Sequence, residues 1–335
     1  MNVFTIAAML AAGTPIDVNI APFADLDDVG CLTVTSGHTL TGPNSFGGYS
    51  GVELDAETGA LTILADNGHI VTATATLDAN GAVTGLEDSV SHTILDQNGE
   101  PLTKRNGDTE ALTRRGDGFL ITREGQNDAI HVVKGDQGFQ ITEQIADLSA
   151  LESLKGNGGF EAAVALGPES ALLITESLND DGHAVVQHLM GSTATTIADY
   201  QPKDNFSVTD IAADQKTNRL FILERAFSPT LGPRARLTVL PTSRVMDAEG
   251  ETLVPAVLGR MTFFDGADNM EGIAFYRSED GGENLLLVSD DNFNPAQRTV
   301  LITLRIKSNC PLAPAKPGPG ADETPEESID EDENR

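Results

Sequence analysis

Carboxylates recur at matched positions along the chain, at a spacing of about 50 residues. Each copy has a polar residue, a short apolar run, a turn, and a second apolar run that ends in acid. The first position holds Ser50, Glu110, Glu161, Asp210 and Glu271. The second position holds Asp66, Glu124, Glu176, Glu224 and Asp290. Crowded carboxylates repel one another, and a hard cation that takes oxygen ligands relieves this repulsion.

The repeat acids therefore predict a Ca²⁺ site. We expect its ligands among Glu110, Glu124, Glu161, Glu176, Glu224, Glu271, Asp290 and Asp291. If the protein is a hydrolase, forked guanidinium groups would hold the phosphate oxygens of a substrate. The candidates for that role are Arg123, Arg225, Arg234 and Arg236. These arginines could equally pair with the repeat acids, and the sequence leaves both roles open.

The runs that carry the acids are typical of strands. "ALLIT", "LFIL", "FLIT" and "LLLVS" are short, apolar and bounded by Gly, Asn or Asp. Two runs joined by a tight turn predict an antiparallel hairpin, and material between copies can supply two more strands. Four strands in about 50 residues is the size of a β-propeller blade. In a hairpin, the start of one strand and the end of the next share an edge, so the acids should gather at one mouth.

The fold predicted is all-β, a single propeller over residues 14–312. Five copies are visible, and residues 18–41 with residues 299–306 could complete a sixth blade from both chain ends. We therefore expect six blades, with five as the alternative. Such closure removes free sheet edges.

A structural role for the repeat acids is the main alternative to cation binding. A carboxylate present in every repeat can accept hydrogen bonds from backbone N–H groups and join one blade to the next. Ser50 lies in "GGYSGV", which does not match G-x-S-x-G, so a serine esterase is the weaker interpretation.

The charge restricts the partners. The formal net charge of −30 makes nucleic acid and anionic membranes unsuitable partners, because both require clustered Lys and Arg. No apolar run is long enough to span a membrane. A small anionic ester or phosphoester would need a bound cation to approach. We expect a monomer.

The N-terminal segment points to export, and the C-terminal segment differs in composition from the rest of the chain. Residues 1–13 contain an apolar run from Val3 to Ala12 and resemble a signal peptide, which predicts a periplasmic or secreted protein. In an exported protein, Cys31 and Cys310 could form a disulfide that holds the closing blade. Residues 313–335 are rich in Pro, Gly and acid and predict a disordered tail.

Seven motifs follow one another along the chain: "FGGYSGVELD", "LADNG", "DTEAL", "GFEAAV", "LFILERAF", "NMEGIAF" and "LLLVSDDNF". In this order they resemble the family called "esterase-like activity of phytase", a family of phytase-like β-propellers. The resemblance implies an exported propeller that hydrolyses phosphoesters or esters. Calcium-assisted hydrolysis of a phosphomonoester is then the expected mechanism. The alternative is a non-catalytic binding or scaffold propeller, since a fold does not fix a function.

Overall fold

Short apolar runs between turn residues form antiparallel strands along the chain. The computed structural model describes residues 13–22, 26–43, 45–103, 106–136, 138–149 and 159–310. Within these residues the strands form five sheets, with a short α-helix at Thr242–Met246 and a 3₁₀ turn at Phe263–Asp265. The all-β prediction is confirmed.

Each sheet forms one blade of a propeller. Blade 1 contains β1 (Thr14–Pro15), β4 (Tyr49–Asp55), β5 (Ala60–Ala65), β6 (His69–Leu77) and β7 (Val83–Thr93). Blade 2 contains β8 (Thr109–Arg115), β9 (Gly118–Arg123), β10 (Asp128–Gly135) and β11 (Gly138–Asp147). Blade 3 contains β12 (Ala162–Gly167), β13 (Ser170–Leu178), β14 (Ala184–Met190), β15 (Thr193–Tyr200) and β19 (Thr252–Leu253). Blade 4 contains β16 (Ser207–Asp214), β17 (Arg219–Ser228), β18 (Gly232–Pro241) and β20 (Ala256–Thr262). Blade 5 contains β2 (Asn19–Pro22), β3 (Leu32–Thr41), β21 (Asn269–Arg277), β22 (Glu283–Asp290) and β23 (Thr299–Ile306).

The innermost strands of the blades form a closed ring. Strand β4 contacts β8, and the sequence of contacts continues through β12, β16 and β21 back to β4. Neighbouring inner strands approach closely where glycines face each other. A Cβ atom on Gly272 of β21 would lie 3.0 Å from Cα of Gly51 in β4. Glycine at this position lets the first and last blades meet.

The hydrophobic core is divided into five clusters, and each cluster fills the space between two neighbouring blades. Strands alternate their side chains between two faces, so each blade supplies apolar residues to two clusters. Blade 4, for example, buries Leu223 against blade 5 and Ile222 against blade 3. The five interfaces among the described residues match the five sheets.

The expectation of six blades is therefore wrong, and the alternative of five is correct. The fifth repeat contains only the hairpin of β21 and β22. Strand β23 and the N-terminal strand β3 complete that same blade, with Val300 paired to Thr39 and Leu301 to His38. The segments assigned to a sixth blade thus supply the outer half of the fifth.

A disulfide joins Cys31 to Cys310 beside this junction, with their Cα atoms 5.3 Å apart. Cys31 directly precedes β3, and Cys310 follows β23. The bond therefore links the two strands that bring the N- and C-terminal parts of the described chain into one sheet.

The predicted signal peptide (1–13), apart from Gly13, and the predicted acidic tail (313–335) lie outside the described residues. Among the residues the structure describes, no helix has the length and apolar character needed to cross a membrane.

Loss of the disulfide should destabilise the propeller. We expect Cys31→Ser with Cys310→Ser to lower the free energy of unfolding by about 2–4 kcal/mol, because the unfolded chain gains freedom. The measurement is denaturant unfolding with and without dithiothreitol. Reductant should lower the stability of the wild type to that of the double variant and leave the variant unchanged. Equal stability of the two proteins without reductant would contradict this expectation.

Candidate active site

The inner hairpins bring most of the repeat acids to one end of the ring. In blade 5, Asn269 at the start of β21 pairs with Asp290 at the end of β22. In blade 2, the backbone N–H of Glu124 donates to the carbonyl of Asp108, 2.9 Å away. This is the arrangement that the hairpin argument predicts.

Asp108, Asn269 and Asp290 line a cavity of about 160 Å³, which we call the acidic mouth, and Glu124 lies beside it. Its carboxylates come from blades 1, 2, 3 and 5. They are Asp66, Asp108, Glu110, Glu161, Glu271 and Asp290. Arg225 and Asn269 also line it.

A β-bulge at the start of the inner strand presents the first repeat position. The pairing of β21 with β22 skips Glu271 and that of β4 with β5 skips Ser50. The register of β8 with β9 shifts between Thr109 and Leu112, which leaves Glu110 and Ala111 out of the pairing. A bulged residue opposes no partner in the neighbouring strand, so its side chain can be turned out of the regular alternation. The bulges help to explain how Glu110 and Glu271 reach the mouth.

The bulge also corrects the repeat alignment in blade 4. The residue skipped in β16 is Thr209, so Thr209 and not Asp210 is the counterpart of Glu271. Asp210 is buried, and its carboxylate accepts the backbone N–H groups of Ile211 and Ile273, both at 2.8 Å. Asp210 thus joins blade 4 to blade 5, as the structural interpretation of the acids proposes.

In blade 4, the second position of the repeat is also shifted by one residue. Arg225 pairs with Ser207 across the hairpin of blade 4, as Asp290 pairs with Asn269 in blade 5. Arg225, and not Glu224, therefore occupies the position of the acids Asp66, Glu124, Glu176 and Asp290. Blade 4 places a guanidinium where the other four blades place a carboxylate.

Glu224 lies away from the mouth, contrary to the expectation that it joins the other acids. Successive side chains of a strand point to opposite faces, so Glu224 and Arg225 diverge. Glu224 is fully buried and forms a two-bonded pair with Arg236, and the hydroxyl of Tyr200 donates to it at 3.1 Å. This pair fills the interface between blades 3 and 4.

Of the four arginines proposed for substrate binding, Arg225 is the one that lines the mouth. Arg123 makes two hydrogen bonds to Asp128, at 2.9 and 2.6 Å, and a third to the carbonyl of Asn106. Arg234 and Arg236 lie over the ring of Phe206, at 5.3 and 4.4 Å from its centroid. Arg236 thus pairs with a repeat acid, Glu224, as the alternative interpretation of the arginines expected, whereas Asp128, the partner of Arg123, is not a repeat acid.

Arg225 connects three blades across the mouth. Its guanidinium donates to Glu176 of blade 3 at 2.8 Å and to Asn269 of blade 5 at 2.6 Å, and it lies 2.9 Å from the Glu271 carboxylate. The amide of Asn269 in turn donates to Glu271 at 2.8 Å and to Asp290 at 3.4 Å. Glu176 and Glu271 are therefore held by a protein cation.

On the other side of the mouth, Asp108, Glu110 and Glu124 each offer a carboxylate oxygen, and these three oxygens lie within 4.8 Å of one another. The carboxylate of Glu124 also accepts the backbone N–H of Gly159 at 3.3 Å. Burial, followed by the charges of Glu161, Asp108 and Glu124, raises the pKa of Glu110 well above its ordinary value. This group has the composition of a hard-cation site.

Other mouth acids are also difficult to ionise. Burial and the neighbouring charge of Glu176 raise the pKa of Glu161 to about 8. Burial and the charge of Asp291 raise the pKa of Asp290 to about 6. Both shifts have the sign expected of carboxylates crowded in a partly desolvated site.

Asp291 supports the rim of the mouth. Its carboxylate accepts the N–H groups of Gly48, at 3.1 Å, and of Phe293, at 3.0 Å. It thereby fixes the loop that leads into β4. Ser50 is likewise engaged, since its hydroxyl donates to the carbonyl of Thr109 at 2.9 Å and joins blade 1 to blade 2.

Sequence reasoning missed Asp108 and Asn269 as site residues. Each lies two positions before the first acid of its repeat, in "DTE" and "NME". The same position is Gly48 in the first repeat and Gly159 in the third, so the repeat pattern alone did not mark it, and only the hairpin pairing does.

A family model described as "Phytase-like: Esterase-like activity of phytase" matches residues 44–293. This span covers most of the chain and includes every residue of the acidic mouth. No curated protein sequence matches the chain at a significant level.

Solved structures with similar folds are distant. A thermostable family-43 glycoside hydrolase is 11% identical, with a TM-score of 0.48 over 82% of this chain and 97% of that one. The nidogen/laminin complex is 11% identical, with a TM-score of 0.41 over 88% and 100%. The PQQ-bound aldose sugar dehydrogenase from Streptomyces coelicolor is 11% identical, with a TM-score of 0.43 over 87% and 100%. Similarity at this level says nothing about activity.

The raised pKa of Glu161 predicts a stability that falls with pH. A carboxyl group whose pKa is higher in the folded state binds more protons there than in the unfolded chain. Stability in chelator should therefore decrease as pH rises from about 4.5, the ordinary glutamate value, to about 8. Thermal melting across this range measures it.

Glu161→Gln is the matched variant for that measurement, since it removes the titrating group and keeps its size. Its melting temperature should fall less steeply between pH 5 and 8 than that of the wild type. An equally steep fall in both proteins would show that Glu161 ionises normally.

Proposed function

The chain belongs to the Phytase-like family, described as having the esterase-like activity of phytase, and from this premise we propose that it is an exported, calcium-assisted hydrolase of phosphomonoesters or related esters. The observation that carries the proposal is the group of Asp108, Glu110 and Glu124 at the mouth of the propeller. Export is supported by the disulfide between Cys31 and Cys310, because such bonds persist in oxidising compartments.

The donor set fits Ca²⁺. Calcium binds oxygen ligands at about 2.3–2.6 Å, so two ligands of one ion lie no further apart than about 5 Å. The oxygens of Asp108, Glu110 and Glu124 meet that limit. Glu161 lies beside Glu110, and water and carbonyl oxygens would complete the six to eight ligands that calcium takes. When bound, Ca²⁺ would neutralise phosphate charge and make a coordinated water more acidic.

The reaction is hydrolysis of the ester bond. The oxygen of water bonds to phosphorus and the water gives up one proton, while the bond from phosphorus to the alcohol oxygen breaks and the alcohol oxygen takes up one proton, so that phosphate and the free alcohol are the products. Arg225 and Asn269 are the donors of the mouth that could orient phosphate oxygens. Arg225 is already held by Glu176 and Glu271, so its geometry is fixed before substrate arrives.

A non-catalytic scaffold is the second candidate, and specific contacts favour it. Asp210 connects blades 4 and 5, and Glu224 is neutralised within its blade by Arg236. The carboxylate of Glu53 accepts the N–H of Arg114 and connects blades 1 and 2. In this case the mouth would be an assembly of structural ties, and a monomer that binds no calcium would be expected.

Calcium should stabilise the wild type. An ion that binds the folded protein alone contributes about 2.7 kcal/mol when its free concentration is 100-fold above the dissociation constant. The melting temperature should therefore rise with CaCl₂ and return with chelator. Glu110→Gln should remove most of this shift, because it removes a charged ligand from the three-acid group.

Two variants serve as controls for that experiment. Glu224→Gln weakens an ion pair with Arg236 away from the mouth, so it should lower the melting temperature equally with and without calcium. Glu271→Gln weakens the ion pair with Arg225 inside the mouth, and comparing it with Glu224→Gln separates loss of an ion pair from loss of mouth charge. If Glu110→Gln retains the full calcium shift, the three-acid group does not hold the ion.

Hydrolysis should depend on the same ion. In a panel of phosphomonoesters and carboxylic esters, we expect release of phosphate or acid in CaCl₂ and its loss in chelator. Glu110→Gln should lower kcat/KM at least 100-fold, which corresponds to about 2.7 kcal/mol of lost transition-state stabilisation. Calcium binding without hydrolysis of any substrate would leave the scaffold as the function.

A further inference from the structure

A second and larger cavity adjoins the acidic mouth between blades 4 and 5. It has a volume of about 620 Å³, and we call it the lateral pocket. Phe227, Pro233 and Phe263 contribute apolar surface, and Arg225 and Asn269 line both the lateral pocket and the acidic mouth. Its volume lies within the range of small-molecule sites, about 300–1,000 Å³.

The strand geometry links the two cavities. Arg225 and Phe227 lie two residues apart on β17, so their side chains leave the same face of the strand. Phe227 pairs with Pro233 of β18 across the hairpin. Phe227 and Pro233 therefore form an apolar wall that begins on the same face of β17 as the Arg225 guanidinium.

Phe263 belongs to a second fixed element. The 3₁₀ turn at Phe263–Asp265 is held by a capping box in which Asp265 accepts the N–H and hydroxyl of Thr262, both at 2.8 Å. The guanidinium of Arg298 lies 4.9 Å from the centroid of the Phe263 ring and donates to Asp268 at 3.2 Å. The ring is thus oriented by its neighbours.

The aromatic side chains of this wall face solvent. Phe227 is 74% exposed and Phe263 is 47% exposed. Exposed aromatic surface beside a polar site is a common mark of ligand binding, because a ligand that covers it gains the free energy of apolar burial. The structure therefore provides an apolar subsite and a polar subsite joined at Arg225 and Asn269.

We propose that the lateral pocket binds the leaving group of the substrate, and that this group is flat and apolar, as in a phosphomonoester of an aromatic alcohol. The inference rests on the proposed function for the position of the phosphate. The phosphate lies at Arg225 and Asn269, facing the three-acid group, and the aromatic ring lies against Phe227, Pro233 and Phe263.

Binding is tested with 1-naphthylmethylphosphonate, whose C–P bond is not hydrolysed, in CaCl₂. The protein has no Trp, so naphthalene fluorescence anisotropy can be followed without tryptophan background. We expect it to bind at least tenfold more tightly than methylphosphonate, measured by competition. Phe227→Ala and Phe263→Ala should each weaken binding of the naphthyl compound about tenfold, as expected for losing part of an aromatic contact. Binding of methylphosphonate should not change.

Phe264 and Leu231 provide matched controls. They are 90% and 60% exposed and adjoin the same elements, but they do not line the pocket. Phe264→Ala and Leu231→Ala should leave both affinities unchanged. Phe227, Leu231 and Phe264 are largely exposed, so the melting temperatures of these three variants should match that of the wild type, and binding by Phe263→Ala is measured well below its own melting temperature.

Initial rates with 1-naphthyl phosphate and glycerol 2-phosphate separate the two proposals. If the naphthyl compound binds tightly through Phe227 and Phe263 but no substrate is hydrolysed, the lateral pocket is an aromatic binding site and the proposed hydrolase function is wrong. If both substrates are hydrolysed with equal KM, and Phe227→Ala and Phe263→Ala do not change it, the hydrolase function stands. The lateral pocket then does not bind the leaving group. Equal binding of the two phosphonates would also overturn the proposed role of the lateral pocket.

Discussion

Packing of each blade against both of its neighbours is the constraint on which the structure depends. Every blade carries apolar side chains on two faces, so an open row of blades would leave two faces in water. The ring avoids this because blade 5 meets blade 1 through a core that contains Leu286 and Val52. Within blade 5, strand β23 pairs with β3, which leads on to blade 1. The Cys31–Cys310 disulfide joins the N- and C-terminal parts of the described chain covalently at this blade. The inner strands then have no freedom to separate, and their charged ends must lie together.

The charge of the mouth is a consequence of this closure. The ring forces together carboxylates that would separate in a flexible chain, and the raised pKa values of Glu110, Glu161 and Asp290 express the cost. The two sides of the mouth offset the repulsion between these carboxylates in different ways. Near blades 3 and 5, Arg225 holds Glu176 and Glu271. Near blade 2, the three-acid group has the composition that favours an external cation.

The sequence was sufficient to predict a β-propeller, the antiparallel hairpins of its blades, and the gathering of acids at one end of the ring. Short strands, tight turns and a repeat of about 50 residues are properties of local sequence and survive folding unchanged. The number of blades was less accessible, because the last repeat contains a hairpin whose outer strands come from elsewhere in the chain. The side-chain directions were also inaccessible where a bulge shifts the register. In blade 4 the bulged residue is Thr209, so an alignment that matches acid to acid is one residue out of phase there, and the true counterparts are Thr209 instead of Asp210 and Arg225 instead of Glu224. The alternation of apolar and polar residues in a sequence cannot reveal a one-residue shift of register at a bulge. The shift depends on which residue the partner strand leaves unpaired.

The departure of blade 4 from the repeat is the most informative feature of the site. A ring of equivalent blades would present an even belt of acid, with no preferred direction for an anion to enter. Blade 4 breaks that belt by placing Arg225 at the acidic position, and the same strand continues to Phe227 beside the lateral pocket. The cation, the amide of Asn269 and the exposed aromatic wall therefore coincide at one sector of the ring. Arg225 stabilises the ring through Glu176 and Glu271, and it also gives the sector between blades 4 and 5 the positive charge that the proposed anionic ligand requires.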